Sequence, residues 1–245
     1  MSFENMLHIT TRNGHIKVLA KRSQVACLRI QAADRSAESR CSVGCTTITT
    51  GRWPDGFLTP TGWAQFLRTN IASIFAMDCF TVDTILGQRY YVHFVIRHAT
   101  REIVQWAITT NPTHEFVRQQ LIRLEDTVQQ TIFVIHDRAG EFRQRYGDFG
   151  IIGVVTAVHA PNMNAIAERF VRSVRQEALD YYIIGDEFQI RNIIREYIVY
   201  YNTQRPHQGI NQSIPRGIPP EIGSGPVGRV PVLGGLHHHY YLKVA

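Results

Sequence analysis

Along the chain, apolar and polar positions change rhythm, and the changes mark out its elements. From residue 61 onward, three runs rich in β-branched and aromatic residues follow one another, at 74–82, 90–96 and 103–109. Gly87 and the polar stretch 98–101 supply the breaks, and connections this short predict an antiparallel three-strand meander. Residues 113–124 then place Phe116, Val117, Leu121 and Leu124 at helical spacing, with Thr113 as the N-cap. A short buried strand is expected at 132–135, running into Asp137, and another at 151–155. Helices follow at about 164–179 and 187–202. Asp186 opens the second, with Gln189 three residues on, which is a capping-box pattern. A meander followed by alternating helix and strand predicts an α/β fold, a mixed five-stranded sheet covered by helices on both faces.

The two flanks are less legible. Residues 1–60 include AADRSAESRCSVGCTTITTGRWPDG, which is rich in small, polar and turn-forming residues and has no sustained apolar face. Residues 16–30 are compatible with a short helix, but an irregular N-terminal segment is the better reading. From residue 215 the chain is rich in Pro and Gly, so an extended C-terminal tail is expected. His237, His238 and His239 followed by YYLKVA make a poor tag and read as natural sequence. The expected division is therefore a poorly defined segment over 1–60, a core domain over 61–214 and an extended tail over 215–245.

Composition narrows the classes. A chain of 245 residues with 44% hydrophobic and 19% charged residues suffices for one substantial core and a smaller appendage. No apolar run reaches the roughly 18 residues that span a bilayer. The start MSFENMLHIT lacks a signal peptide's basic-then-apolar order, so a cytoplasmic protein without a membrane partner is expected. Four cysteines are too few for a disulfide framework and suit the same compartment. A net charge of +6 favours a polyanionic partner such as DNA, although charge alone is weak support.

The chemistry gathers on three acids. Asp78 interrupts an apolar run, where a carboxylate must be paired, metal-bound or protonated. Its plain alternative is a solvent-facing strand end. Asp137 ends an apolar strand, where a turn or helix-cap aspartate is the ordinary explanation. On a helix that advances roughly 100° per residue, Glu168 shares a face with Arg172 and Arg175, opposite Ile166, Phe170 and Val174. A surface ion pair would give the same spacing. Glu177 falls on the buried side and is the worse candidate. Three carboxylates brought together would suit a hard divalent cation, Mg²⁺ or Mn²⁺. Paired ions of that kind cut or join phosphodiesters by in-line displacement.

Several segments resemble, in order, the catalytic core of the integrase and D,D,E transposase superfamily, especially bacterial insertion-sequence integrases. MDCFTVDT followed by RYYVHFVI is similar to the first two strands of that core. VIHDRAGEF is similar to its second aspartate motif, APNMNAIAERFVRSVRQEALD to its glutamate helix, and YYNTQRPHQGI to a C-terminal signature. The resemblance covers about residues 62–240. It implies a ribonuclease-H-like fold, with Asp78, Asp137 and Glu168 as the catalytic and metal-binding triad. It also implies DNA strand transfer dependent on Mg²⁺ or Mn²⁺, with element ends and target DNA as partners and a homo-oligomer as the working form. Arg169, Arg172 and Arg175, with Arg205 and His207 of QRPHQG, are candidate DNA contacts; solvated surface charge is the alternative for each. His8, His15, Cys41 and Cys45 resemble the zinc-binding N-terminal module of retroviral integrases. The cysteines stand one residue too far apart for it, and unrelated residues are the better reading.

Two departures bear on activity. Arg138 stands where many relatives have Asn, although a basic residue also occurs there. Only 30 residues separate Asp137 from Glu168. That is short of the family's usual interval by more than one helical turn of about 3.6 residues, and the shortfall falls in RQRYGDF. A catalytically inactive remnant that binds DNA or a partner subunit is the rival reading, and a nuclease of the same fold without strand transfer is a third.

Overall fold

The computed structural model describes residues 8–12, 15–19, 45–49, 60–128, 131–142, 146–156, 163–217 and 225–243. The chain divides into two compact units, Met1–Ile71 and Ala72–Ala245. In the first, β1 (His8–Arg12), β2 (His15–Leu19) and β3 (Cys45–Thr49) form an antiparallel sheet in that order. β2 takes the start of the stretch weighed as a helix over 16–30. Its HIKVL alternates β-branched with polar residues, which suits a pleated strand; residues 20–30 lie outside the described residues. Helix α1 (Pro60–Asn70) begins on a proline, which is tolerated in the first helical turn, and stacks Trp63 on Phe66 at 5.3 Å. Of the four residues weighed for zinc, Cys41 lies outside the described residues, and His8, His15 and Cys45 fall on β1, β2 and β3.

The second unit is built on β4 (Ile74–Asp83), β5 (Arg89–Arg97), β6 (Ile103–Thr109), β7 (Ile132–His136) and β8 (Ile151–Val155). The sheet order is β6-β5-β4-β7-β8. The first three strands pair antiparallel, while β4–β7 and β7–β8 pair parallel. This is the ribonuclease-H-like arrangement expected from the sequence. Helix α2 (His114–Val128) links β6 to β7, with the Thr113 hydroxyl accepting from the Phe116 N–H at 3.2 Å as its cap.

Strand parity divides the core. Phe75 and Met77 of β4 and Val95 of β5 join Val117, Leu121 and Leu124 of α2 in one cluster. Ala76, Asp78 and Phe80 therefore turn to the opposite face, because successive strand side chains alternate. That face is covered by α3 (Ala165–Glu177) and α4 (Glu187–Thr203). Phe94 meets Phe170 at 4.6 Å, and Phe170 meets Tyr201 of α4 at 5.1 Å. Ile74 through Met77 are fully buried, as a central strand covered on both sides requires. Asp186 caps α4 by accepting from the Gln189 N–H at 2.8 Å, and the Gln189 side chain accepts from Gly185 N–H at 2.8 Å.

The C-terminal stretch is extended as an antiparallel hairpin, β9 (Val227–Val232) and β10 (His237–Leu242). It docks on the helical face. Leu233 is buried, its N–H donating to Glu196 at 2.5 Å and its carbonyl accepting from the Tyr182 hydroxyl at 2.8 Å. His237 stacks on Tyr200 at 4.8 Å and bonds the Glu177 carbonyl at 2.6 Å, a structural use for the first residue of the histidine run.

Asn202 of the YYNTQRPHQGI segment ties α4 to the sheet edge. Its side chain accepts from the Ile103 N–H and donates to the Ile103 carbonyl, both at 2.9 Å, in a buried setting. Replacing Asn202 by Leu leaves both backbone groups unpaired, and such groups cost about 1–3 kcal/mol each. Asn202→Leu is expected to lower unfolding free energy by about 2–4 kcal/mol in urea titrations; an unchanged midpoint would show that the tie carries no stability.

Candidate active site

Asp78 sits where β4 turns a carboxylate toward the α3 face. Its Oδ1 accepts from the Cys79 N–H at 2.7 Å and its Oδ2 from the Asn164 side chain at 3.1 Å. Burial raises the carboxyl and the Cys79 N–H opposes the rise. The negative charges of Asp137 and Glu168 add to it, leaving Asp78 at about 6. Both other acids of the expected triad thus lie within electrostatic reach of Asp78. Cys79, a free thiol packed toward the α2 face, is pushed to about 12 by burial and then by Asp78, Glu141 and Asp137. That is the inert, half-buried cysteine its apolar setting suggests.

Asp137 follows β7 directly. Its Oδ1 accepts from the Ala139 N–H at 3.0 Å, which closes a local turn. His136, buried and stacked on Tyr146 at 4.6 Å, meets the Asp137 carbonyl through Nδ1 at 2.7 Å. A carbonyl only accepts, so Nδ1 carries the proton. Burial holds the ring neutral by lowering its pKa. After Asp137, two 3-10 turns, Gly140–Phe142 and Tyr146–Phe149, stand where the resemblance implies a fuller helix. Phe142, Tyr146 and Phe149 are buried, so the shortened segment still fills the core. Gly153 is required there, since a Cβ would lie 2.5 Å from the Tyr146 ring.

Glu168 lies exposed in the first turn of α3, while Ala167, Phe170 and Val174 face inward. Arg169 and Arg172 are exposed and make no ion pair with a described residue. Arg175 is held to the sheet, donating to the Thr81 carbonyl at 2.8 Å with its guanidinium 5.8 Å from the Phe80 ring centroid. Among the described residues, no three His, Cys, Asp or Glu side chains stand close enough to hold an ion between them. The donor set nonetheless fits a hard cation. Asp78 is desolvated beside two other acids, and the Asn164 Oδ1 is buried without a hydrogen-bond partner among the described residues.

Two expected DNA contacts turn inward. Arg205 donates to Glu177 twice, at 2.7 and 2.5 Å, and Glu177 also accepts from the Tyr197 hydroxyl at 3.0 Å. His207 is buried, its Nε2 bonding the Tyr201 carbonyl at 2.9 Å. QRPHQG here fastens the end of α4, and its basic groups are engaged within the chain. Glu177, set aside on its helical face, is the acid that holds Arg205. Sequence reasoning missed Asn164 and His136. Asn164 stands four residues before Glu168, one helical turn away, which was the available signal; His136 had none beyond adjacency to Asp137.

The comparisons with known proteins agree with this picture. Residues 150–215 match the family described as the integrase core domain. The chain is 27% identical over 142 residues to the putative transposase InsD for insertion element IS2E of Escherichia coli, covering 53% of this chain and 65% of that one. It is equally similar to transposase InsD for insertion element IS2A/D/F/H/I/K, of which 47% is covered. The chain therefore spans between about half and two thirds of the length of these relatives. Among solved structures it is similar to the catalytic domain of Mos1 mariner transposase, at 13% identity and a TM-score of 0.49 over 62% of this chain and 82% of that one. It is likewise similar to the HTLV-2 integrase catalytic core domain in complex with magnesium, at 10% identity and a TM-score of 0.47 over 61% and 97%. The resemblance to integrase and transposase catalytic cores thus holds in sequence. No helix among the described residues is long and apolar enough to cross a membrane.

The raised Asp78 carboxyl has a pH signature. Its folded pKa lies above the unfolded value, so its contribution to stability is fully present below about pH 4 and is lost as pH rises through about 6. His93 and His98, lowered by burial to about 3, act in the opposite sense. The difference between the native protein and Asp78→Asn isolates the aspartate. In chelator, thermal melting should show the variant gaining on the native protein between about pH 4 and 6 and keeping that gain above it. A pH-independent difference would contradict the assigned shift.

Proposed function

We propose that the chain is the catalytic core of a DNA strand-transferase that cuts and joins phosphodiesters. Asp78, Asp137 and Glu168 would hold Mg²⁺ or Mn²⁺. The observation that carries this reading is the half-buried Asp78 carboxylate, held by the Cys79 N–H and the Asn164 amide, under the combined charge of Asp137 and Glu168. It is supported by the ribonuclease-H-like sheet and by the integrase-core match over residues 150–215. A bound ion pair supplies Lewis acidity toward the attacking oxygen and the leaving oxygen of a phosphodiester. Asp78 on β4 and Asp137, which directly follows the adjacent parallel strand β7, would form the floor of the site. Glu168, exposed in the first turn of α3, would complete the set. Arg169 and Arg172 meet DNA phosphates beside it, and Arg175 orients α3 on β4. The partners are element ends and target DNA, and a homo-oligomer brings two ends together.

Asp78→Asn, Asp137→Asn and Glu168→Gln should each reduce Mg²⁺- or Mn²⁺-dependent joining of a labelled DNA end by about a hundredfold or more, since misplacing a catalytic group by about 1 Å already costs that much. Retained joining in all three would overturn the assignment. Cleavage without joining would identify the nuclease reading instead.

A second reading has its own support. The shortened segment after Asp137 and the lack of a three-ligand cluster among the described residues favour an inactive remnant that binds DNA or a partner subunit. Metal-independent DNA retention with no metal-dependent nicking by the purified protein would establish it.

The arginines separate by salt. Each phosphate contact contributes about 0.9 to the slope of log K against log salt on duplex DNA. Arg169→Ala and Arg172→Ala should each flatten that slope by about one. Arg205→Ala should leave it unchanged while lowering the melting temperature, because its partner is Glu177. A flattened slope for Arg205→Ala would return that residue to the DNA surface.

A further inference from the structure

Asn164 occupies the N-cap of α3, yet its side chain makes no capping bond. Asn is among the best N-caps because its oxygen can accept from the first-turn N–H groups. Here the side chain is turned elsewhere. Nδ2 donates to the Asp78 Oδ2 at 3.1 Å across 86 residues, and Oδ1 is buried with no hydrogen-bond partner among the described residues. Asn164 is 6% exposed, so bulk solvent has little access to it. Its backbone carbonyl accepts from the Glu168 N–H at 3.1 Å. One residue thus touches the aspartate on the central strand and opens the helical turn that carries the glutamate.

We infer that Asn164 is a built-in competitor for the cation site, its amide occupying the Asp78 oxygen that faces α3 until an ion displaces it. The inference rests on the carboxylate-site reading above and adds a residue to it. A carboxylate oxygen that accepts an N–H presents the same lone-pair side that a hard cation takes, and the amide hydrogens carry the same sign of charge as the ion. Oδ1 of Asp78 is already engaged by the Cys79 N–H, so Oδ2 is the oxygen in contest. Among the described residues the Asn164 side chain is held by its hydrogen bond to Asp78 alone, which makes it displaceable. The neighbouring face agrees: Asp78 takes charge from Asp137 and Glu168, and among the described residues no Lys or Arg pairs with it. The amide is the neutral donor that stabilises Asp78 when no cation is bound.

Asn164 acts as a positioning residue, so its test reads ion binding and stability. Asn164→Leu removes the amide at similar volume, and Asn164→Ser keeps a residue that caps helices but is too short to reach Asp78. Mn²⁺ alone is titrated calorimetrically into the full chain at pH 8, and melting is followed with chelator and with Mn²⁺. Removing a hydrogen bond to a charged group should tighten Mn²⁺ binding by about tenfold in both variants. It should also lower the chelator melting temperature and enlarge the rise produced by Mn²⁺. Unchanged or weaker Mn²⁺ binding in a folded variant, with the native chain binding normally, overturns the role of Asn164 and leaves the carboxylate site standing. A native chain that binds no Mn²⁺ overturns the carboxylate site itself.

Discussion

A carboxylate on a strand covered by helices on both sides is the constraint on which the arrangement depends. β4 is central, and Ile74 through Met77 are fully buried, so the next side chain turned toward α3 inherits a desolvated position. Placing Asp78 there opposes folding unless something satisfies the charge. Two neutral donors do so, the Cys79 N–H and the Asn164 amide, while two more acids stand near enough to raise the cost. Acids placed near one another where apolar residues would be more stable suit the oxygen-ligated divalent cation proposed for the site.

The surrounding fold reads as support for that point. Parallel pairing of β4 with β7 brings the end of one strand beside the carboxylate of the other, and His136 fixes the Asp137 backbone from the opposite face. Phe94, Phe170 and Tyr201 stack through α3 to α4, which sets the helix carrying Glu168 at one distance from the sheet. The Glu177–Arg205 pair and the docked hairpin close the far end of the same face. Charge that looks available in a basic motif is used here for construction, and what remains outward is Arg169 and Arg172.

Much of this was legible in the amino-acid sequence. The sheet strands announced themselves because a strand buried on both faces is a continuous apolar run, and α4 because its cap and its apolar spacing agree. What the sequence does not display is all long-range. Nothing local to Arg205 announces its pairing with Glu177, 28 residues away. Asn164 has only its place one helical turn before Glu168 to mark it, and its partner lies 86 residues off. The hairpin after residue 225 has no hydrophobic face strong enough to announce itself; its anchors, Leu233 on Glu196 and His237 on Tyr200, exist only once α4 is in place. The glutamate helix ran two residues short of expectation because Ala178 leaves the helical conformation, and Leu179 is buried in a 3-10 turn instead.

The most direct test is a crystal of the chain grown with Mn²⁺ and measured at the manganese edge. Anomalous density bound by Asp78 and Asp137, with Glu168 turned toward it and the Asn164 amide moved off Asp78, is the predicted result. Anomalous density absent at saturating Mn²⁺, or bound away from Asp78, would contradict the account.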